Sequence, residues 1–212
     1  MRLHLASTSP ARKAVLAGAG IIPDCYSPEV DERQKVADRE LELGRALTTS
    51  EMVEYLARLK AEDVVARYAQ DFDGLVLGGD SAFELGGEIL GKPHEPDVAL
   101  SRAKSHRGTT GTLYSGHWLI DCTGGQVRKA VGGVDSATVT MGDDLEDAEL
   151  KRYVETGEPL KLAGGFAIDG LAGAFIEGIE GAPSCVIGLS LPMLRQLVRK
   201  LGYDYTDLWS VS

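Results

Sequence analysis

The sequence has few cysteines and none of the cysteine patterns that bind structural zinc. Its three cysteines, Cys25, Cys122 and Cys185, lie far apart, and no Cys-x-x-Cys pair occurs. An odd number of widely spaced cysteines indicates neither a disulfide framework nor a zinc site. We therefore expect reduced cysteines that are mostly structural.

Long apolar runs are also missing. No stretch approaches the roughly 20 apolar residues that cross a bilayer as a helix. The segment from Met1 to Leu5 enters a strand-like pattern directly and lacks the design of a signal peptide. The sequence predicts a cytoplasmic protein with no membrane partner.

The sequence has fewer basic than acidic residues, so its formal net charge is −10. An acidic protein lacks the general attraction to phosphate that duplex-binding proteins use, so a nucleic-acid polymer is not expected as a partner. A small anionic substrate would need a local cluster of Arg and Lys side chains, or a divalent cation, to overcome this field.

Several familiar nucleotide and hydrolase motifs are absent. No Gly-x-Gly-x-x-Gly follows the first strand, and no Gly-x-Ser-x-Gly occurs. The segment from Gly86 to Lys92 matches a phosphate-binding loop until Pro93, which lacks both the hydroxyl and the backbone N–H that such a loop uses. The four histidines have no metal-ligand spacing and are interpreted as surface or packing residues.

Helix-like and strand-like segments alternate along a chain that is 43% hydrophobic, enough to bury a real core. This alternation predicts an α/β fold with a mixed sheet, as one domain or two closely packed lobes. Strands are predicted near residues 2–6, 21–27, 75–77, 112–121, 126–141 and 175–179, and helices near 10–18, 48–68, 97–105, 144–155 and 191–201.

The segment most suggestive of chemistry is a short apolar strand, Leu75 to Leu77, that stops at Gly78-Gly79 and delivers Asp80. A carboxylate at the carboxyl edge of a sheet lies where α/β proteins bind ligands, and it could hold a cation or take a proton from water. The alternative is that Asp80 only caps a turn.

A second candidate is the start of the first helix, where Ser9 suits the N-cap and Pro10 the first helical position. Free backbone N–H groups at the start of a helix favour the binding of phosphate. The planar guanidinium of Arg12, close to Ser7, adds two hydrogen-bond donors. An ordinary cap is the alternative. Glu32 and Lys60, each taken alone, are interpreted as solvated surface charges.

Taken together, these segments resemble successive blocks of the Maf family, in order and over nearly the whole chain. The blocks in this sequence are residues 5–12, 31–32, 79–81, 91–93, 153–159, 163–170 and 186–189. The resemblance implies a single domain over residues 1–212, an elongated α/β fold of the inosine triphosphate pyrophosphatase type with two lobes around a cleft, and an often dimeric protein.

The resemblance also implies an activity. Members hydrolyse nucleoside triphosphates between the α and β phosphates, with a divalent metal, to a nucleoside monophosphate and pyrophosphate. They are thought to remove noncanonical nucleotides and are linked to cell-division arrest. The alternative for this chain is a nucleotide-binding regulator of septum formation without significant turnover.

Family roles transfer onto matching positions only. They imply that Asp80 accepts a proton, that Glu32 and Asp80 hold the metal, magnesium or manganese, and that Ser7 binds a phosphate oxygen. Arg12, Lys60 and Lys92 match basic positions that neutralise the triphosphate.

Two departures from the family pattern affect the site. The usual arginine pair is here Ala11-Arg12, which leaves one guanidinium. Where thymidine and uridine triphosphate hydrolases of the family have Gln, this chain has Asp169. An amide both donates and accepts hydrogen bonds, whereas a carboxylate only accepts, so Asp169 is predicted to select a different base. Lys161 is one position from the family lysine and inherits no role.

Overall fold

The computed structural model describes residues 1–210 and has a mixed α/β fold, which confirms the predicted class. Seven strands within that range form one sheet with the order β2-β1-β3-β5-β6-β7, and β4 pairs with β3. The strands are β1 (Arg2–Ala6), β2 (Asp24–Tyr26), β3 (Gly74–Leu85), β4 (Glu88–Leu90), β5 (Thr110–Asp121), β6 (Lys129–Met141) and β7 (Ile176–Glu180). The α-helices are α1 (Pro10–Gly18), α2 (Glu32–Leu43), α3 (Thr49–Tyr68), α4 (Pro96–His106), α5 (Asp147–Glu155), α6 (Pro183–Ile187) and α7 (Leu191–Leu201).

The chain divides into two compact units, neither of which is continuous in sequence. Unit 1 comprises Met1–Asp80, Ser115–Asp135 and the chain from Gly188 onwards, and unit 2 comprises Ser81–Tyr114 and Ser136–Ile187. Strands β3, β5 and β6 each contribute residues to both units. The expectation of a single domain with no separable linker stays a prediction.

Unit 1 is built on parallel pairing. Strand β1 pairs in parallel with β2 on one side and with β3 on the other, and the last β1–β3 pair joins Ala6 to Gly78. Leu5, Leu77 and Leu194 of its apolar core are fully buried, and α7 packs there through an amphipathic face that begins at the predicted Leu191.

Helix α3 packs closely against this sheet because glycines face it. A Cβ on Gly78 would lie 2.0 Å from the Ala57 carbonyl oxygen, and one on Gly116 would lie 2.2 Å from that of Val53. The helix begins with a capping box between Thr48 and Glu51. Close approach of α3 to β3 carries Lys60 towards Asp80.

Unit 2 has a separate apolar core, in which Phe83 contacts Phe166 edge to ring and the His106 ring at a tilt of 60°. Strands β3 and β4 form the predicted antiparallel hairpin, whose turn at Gly86-Gly87 has φ angles of 60° and 85°. Such positive φ values favour glycine. The hairpin agrees with the rejection of a phosphate-binding loop in this segment.

Four sequence expectations were wrong in detail. Strand β3 does not stop at the glycines but continues past Asp80 to Leu85, because paired backbone beyond β1 keeps it extended. Glu32 begins a 12-residue helix, which was missed because α2 buries no side chain and so has no apolar stripe. Strand β2 has only three residues, and α5 begins at Asp147, after its cap at Glu146.

The expectation of unpaired cysteines was confirmed. All three cysteines are free thiols, and Cys122 and Cys185 are buried. Within residues 1–210, the helices are all too short or too polar to cross a membrane.

Candidate active site

The central feature of unit 1 is an ammonium group held between two carboxylates. Lys60 Nζ lies 2.7 Å from Asp80 Oδ1 and 2.9 Å from Glu32 Oε1. The Lys60 and Asp80 side chains are only 9% and 13% exposed, whereas that of Glu32 is 49% exposed. Lys60 is therefore not the solvated surface charge that it suggested alone, whereas Glu32 is exposed but paired with Lys60.

Asp80 lies within a strand, two residues beyond the last parallel pair with β1. It is thus at the carboxyl end of the parallel region, although β3 itself continues. Burial raises the pKa of the Asp80 carboxyl, against the opposing effect of the Lys60 and Arg12 charges. A carboxylate with a raised pKa is a stronger base, which suits proton transfer from water.

Arg12 projects from the first helix, whose cap forms as predicted. The Ser9 hydroxyl accepts from the Arg12 backbone N–H at 3.4 Å. The Arg12 side chain donates from Nε to the Gly188 carbonyl at 2.8 Å and from Nη1 to Ser7 Oγ at 3.2 Å. Burial lowers the pKa of this guanidinium, while the carboxylates of Asp80 and Glu32 act in the opposite direction.

Ser7 is buried at the end of β1, and its hydroxyl oxygen accepts two hydrogen bonds. Besides Arg12, the Ser9 backbone N–H donates to it at 3.1 Å. With its oxygen occupied by two donors, the hydroxyl hydrogen is the group that remains to donate to a phosphate oxygen.

The Arg12 side chain passes close to Gly79, which has no Cβ to obstruct it. A Cβ on Gly79 would lie 3.2 Å from Arg12 Nε and 3.4 Å from its Cδ. The two adjacent glycines of β3 thus have different neighbours: α3 packs on Gly78, and the Arg12 side chain crosses Gly79.

Ser7, Arg12, Glu32, Lys60 and Asp80 thus gather in unit 1. The other two predicted residues, Lys92 and Asp169, are exposed and belong to unit 2. Lys92 follows β4. Asp169 lies in a turn next to a segment held by Glu158, whose carboxylate accepts from the backbone N–H groups of Leu171 at 3.0 Å and Ala172 at 3.3 Å.

Sequence patterns did not reveal the residues that support these side chains. They are Gly188, which accepts from Arg12, the buried residues His117 and Ser190 with the partly buried Asp135, and Glu158. Glu158 and Gly188 fall within blocks that carried the family resemblance, which was a usable signal. His117 and Asp135 carried no sequence signal of this role, because their shared partner, Ser190, is distant in sequence.

The carboxylates of the site bear on whether it could hold a divalent cation. No group of three or more His, Cys, Asp or Glu side chains suited to a metal occurs among residues 1–210. Asp80 and Glu32 nevertheless offer two carboxylates to one cationic group. Magnesium is commonly bound through one or two carboxylates plus substrate phosphates, so these residues fit a metal that arrives with a nucleotide.

Comparisons with known proteins agree with this picture. A sequence model of the family described as Maf-like protein matches residues 2–201. A protein of Leifsonia xyli named nucleoside triphosphate pyrophosphatase is 52% identical over 99% of this chain and 97% of its own length. One of the same name from Salinispora tropica is 45% identical, over 99% and 88%.

Among solved structures, the Ham1 protein of Staphylococcus aureus matches with a TM-score of 0.38 and 14% identity, covering 68% of this chain and 73% of that one. At that TM-score the match supports no inference about this chain.

Proposed function

Because the chain belongs to the Maf family, we propose that it is a metal-dependent nucleoside triphosphate pyrophosphatase, which hydrolyses the α–β anhydride to a nucleoside monophosphate and pyrophosphate. Its named relatives support the activity. The observation that carries the proposal is the buried Asp80 carboxylate paired with Lys60 at 2.7 Å. A protein that only bound nucleotides would have no need of a shielded carboxylate with a raised pKa.

In this proposal Asp80 takes a proton from the attacking water. Its raised pKa places the carboxylate closer to working pH, where a general base is most effective. Lys60 and Arg12 offset the negative charge of the phosphates, and the Ser7 hydroxyl donates to a phosphate oxygen. These side chains explain how a protein of net charge −10 accepts an anion.

Asp80 and Glu32 would hold the magnesium or manganese ion. When bound, that ion would polarise a phosphoryl oxygen and offset charge that develops on the phosphates. Lys92 is proposed to neutralise further triphosphate charge, and Asp169 to contact the base. Noncanonical nucleotides as substrates, a role in cell-division arrest, a cytoplasmic location and a homodimer stay predictions.

The test is a nucleotide panel. Wild-type protein is incubated with dTTP, UTP, CTP, GTP, 7-methyl-GTP and ITP, with magnesium, manganese or a chelator, and both pyrophosphate and monophosphate are measured. We expect equal amounts of the two products with metal and none with the chelator. Asp80→Asn should abolish turnover, whereas Asp71→Asn, at an exposed position in unit 1, should not.

Other outcomes identify the alternatives. Nucleotide binding without product would favour a regulator that does not turn over. Neither binding nor product would favour an interaction protein. Orthophosphate as the product, without pyrophosphate, would contradict cleavage between the α and β phosphates.

A further inference from the structure

The orientation of the Arg12 guanidinium depends on a distant part of the chain. Its Nε donates at 2.8 Å to the carbonyl of Gly188, a residue 176 positions away. That bond fixes the plane of the guanidinium, so that Nη1 meets Ser7 Oγ. Moving the Gly188 carbonyl would therefore move the cationic group that acts on Asp80.

Gly188 begins a short connection between α6 and α7, and its φ angle of 116° is one that other residues rarely adopt. Its carbonyl direction is consequently set by the local backbone rather than by a helix or strand. Two residues later, Ser190 is fully buried and caps α7, accepting from the Met193 backbone N–H at 3.1 Å.

Two side chains from the sheet hold Ser190. The backbone N–H of Ser190 donates to His117 Nε2 of β5 at 2.9 Å, and its hydroxyl donates to Asp135 Oδ2 of β6 at 2.5 Å. Since Nε2 accepts, the imidazole is neutral with its proton on Nδ1. Burial lowers the pKa of His117 to about 4, which keeps it in this acceptor form at neutral pH.

The ordinary explanation of these contacts is core packing. An apolar side chain fills a core position without desolvating a polar group, so the buried His117 imidazole and the partly buried Asp135 carboxylate are costly unless they fix a geometry. Here both converge on the connection that presents the Gly188 carbonyl to Arg12. The Arg12 charge is also among the groups that lower the pKa of His117, after burial.

From this geometry we infer that His117, Asp135 and Ser190 are positioning residues, which hold the Gly188 carbonyl so that it orients Arg12 over the reaction site. The inference rests on the proposed function. It assigns these residues no contact with substrate. It accounts for a polar network beneath the connection, where packing alone would favour apolar side chains.

The test combines matched substitutions with a double-mutant cycle. His117→Leu removes the acceptor, whereas His117→Gln can retain one. We expect His117→Leu to lower kcat by about tenfold to a hundredfold, as small misplacements of catalytic groups do. His117→Gln should recover most of that loss. In an Arg12→Ala background, His117→Leu should cause little further loss, because the group it positions is gone.

If His117→Leu fails to fold, two substitutions of Ser190 provide the same test. Ser190→Thr keeps the hydroxyl and Ser190→Ala removes it, and only the alanine variant should lose kcat in an Arg12-dependent manner. The inference would be overturned if a substitution lowered kcat by the same factor in the Arg12→Ala background as in the wild type. It would also be overturned if both substitutions at His117, or both at Ser190, lowered kcat equally. Absence of wild-type turnover would instead overturn the proposed function, so the two failures are distinguishable.

Discussion

The ammonium group of Lys60 lies 2.7 Å from the carboxylate of Asp80, in surroundings that shield both from water. Glu32 approaches the same ammonium at 2.9 Å from a more exposed position. The pair is thus asymmetric: Lys60 has a second carboxylate near it, whereas Asp80 relies on Lys60 and the charge of Arg12. Substitutions of the two partners should consequently differ in effect.

Lys60→Met should destabilise the protein more than Asp80→Asn does. Removing one partner of a buried ion pair leaves the other charge uncompensated, which costs about 3–5 kcal/mol. Lys60→Met leaves the Asp80 carboxylate with only the Arg12 charge to offset it, so we expect a loss towards the lower end of that range. Asp80→Asn removes a carboxyl that burial already disfavours as an anion, and Lys60 keeps Glu32, so we expect a loss below about 1 kcal/mol.

Urea unfolding at pH 7 measures both free energies of unfolding. Asp80→Asn should also abolish turnover while folded, which separates its chemical role from stability. Equal destabilisation by the two substitutions would contradict the asymmetry.

Alanine at the two adjacent glycines of β3 should separate packing from function. At Gly78 the new Cβ would lie 2.0 Å from a backbone oxygen of α3, and overpacking of that kind costs about 1–3 kcal/mol or more. At Gly79 the Cβ meets the flexible Arg12 side chain at 3.2 Å. We expect Gly78→Ala to lower the melting temperature strongly, and Gly79→Ala to lower kcat/KM about tenfold with little loss of stability.

Thermal unfolding and steady-state kinetics on the same preparations check this pair. A Gly79→Ala variant with wild-type kinetics would show that the path of Arg12 past this glycine is unimportant for activity.

Protonation of His106 should destabilise the protein as the pH falls. Burial lowers the pKa of His106 from its ordinary value of 6.5 to about 4. Between these values the unfolded chain binds more protons than the folded one, so stability is complete above about pH 6.5 and falls towards pH 4. A difference of this size is worth up to about 3 kcal/mol at the acid end.

His106→Gln should therefore flatten the dependence of unfolding free energy on pH between 6.5 and 4. His94→Gln, at an exposed histidine of the same unit, is the matched control and should leave the slope unchanged. An unaltered slope in His106→Gln would refute the assignment.

Sequence patterns predicted the elements whose signals are local. The cap at Ser9 depends on neighbouring residues and was predicted, and the helices predicted from about residues 48 and 191 begin at Thr49 and Leu191. Helix α2 was missed because it packs no side chain into the core and so lacks an apolar stripe. Strand β3 was cut short because its paired glycines resemble a turn, although pairing with β4 keeps the strand extended.

The candidate site was predictable only in part, for a similar reason. Arg12 and Asp80 stand in short blocks that resemble a family, and Lys60 matches a basic position of that family, so all three could be named. The residues that orient them do not neighbour them in sequence. The contact of His117 with Ser190 joins positions 73 apart, and the pairing of Arg12 with Gly188 is visible only in three dimensions.

Base selection is predicted to depend on Asp169, in a turn of unit 2 beside a segment that Glu158 holds. Glu158 accepts from the backbone N–H groups of Leu171 and Ala172, and from the Tyr153 hydroxyl at 3.2 Å. A carboxylate at position 169 only accepts hydrogen bonds, so it favours bases that present an amino group, alone or beside a ring N–H, as cytosine and guanine do. An amide both accepts and donates, which suits uracil and thymine, whose edges present a carbonyl beside an N–H.

Asp169→Gln should therefore raise kcat/KM for UTP and dTTP relative to CTP and GTP, by about tenfold, which corresponds to one hydrogen bond to a charged group. The ratio of kcat/KM values across the nucleotide panel is the measurement, because it cancels differences in active fraction. Asp71→Gln, an exposed aspartate of unit 1, is the control and should leave the ratio unchanged. If Asp169→Gln retains the wild-type ratios while turning over normally, the base is selected by other groups, and Asp169 has no part in specificity.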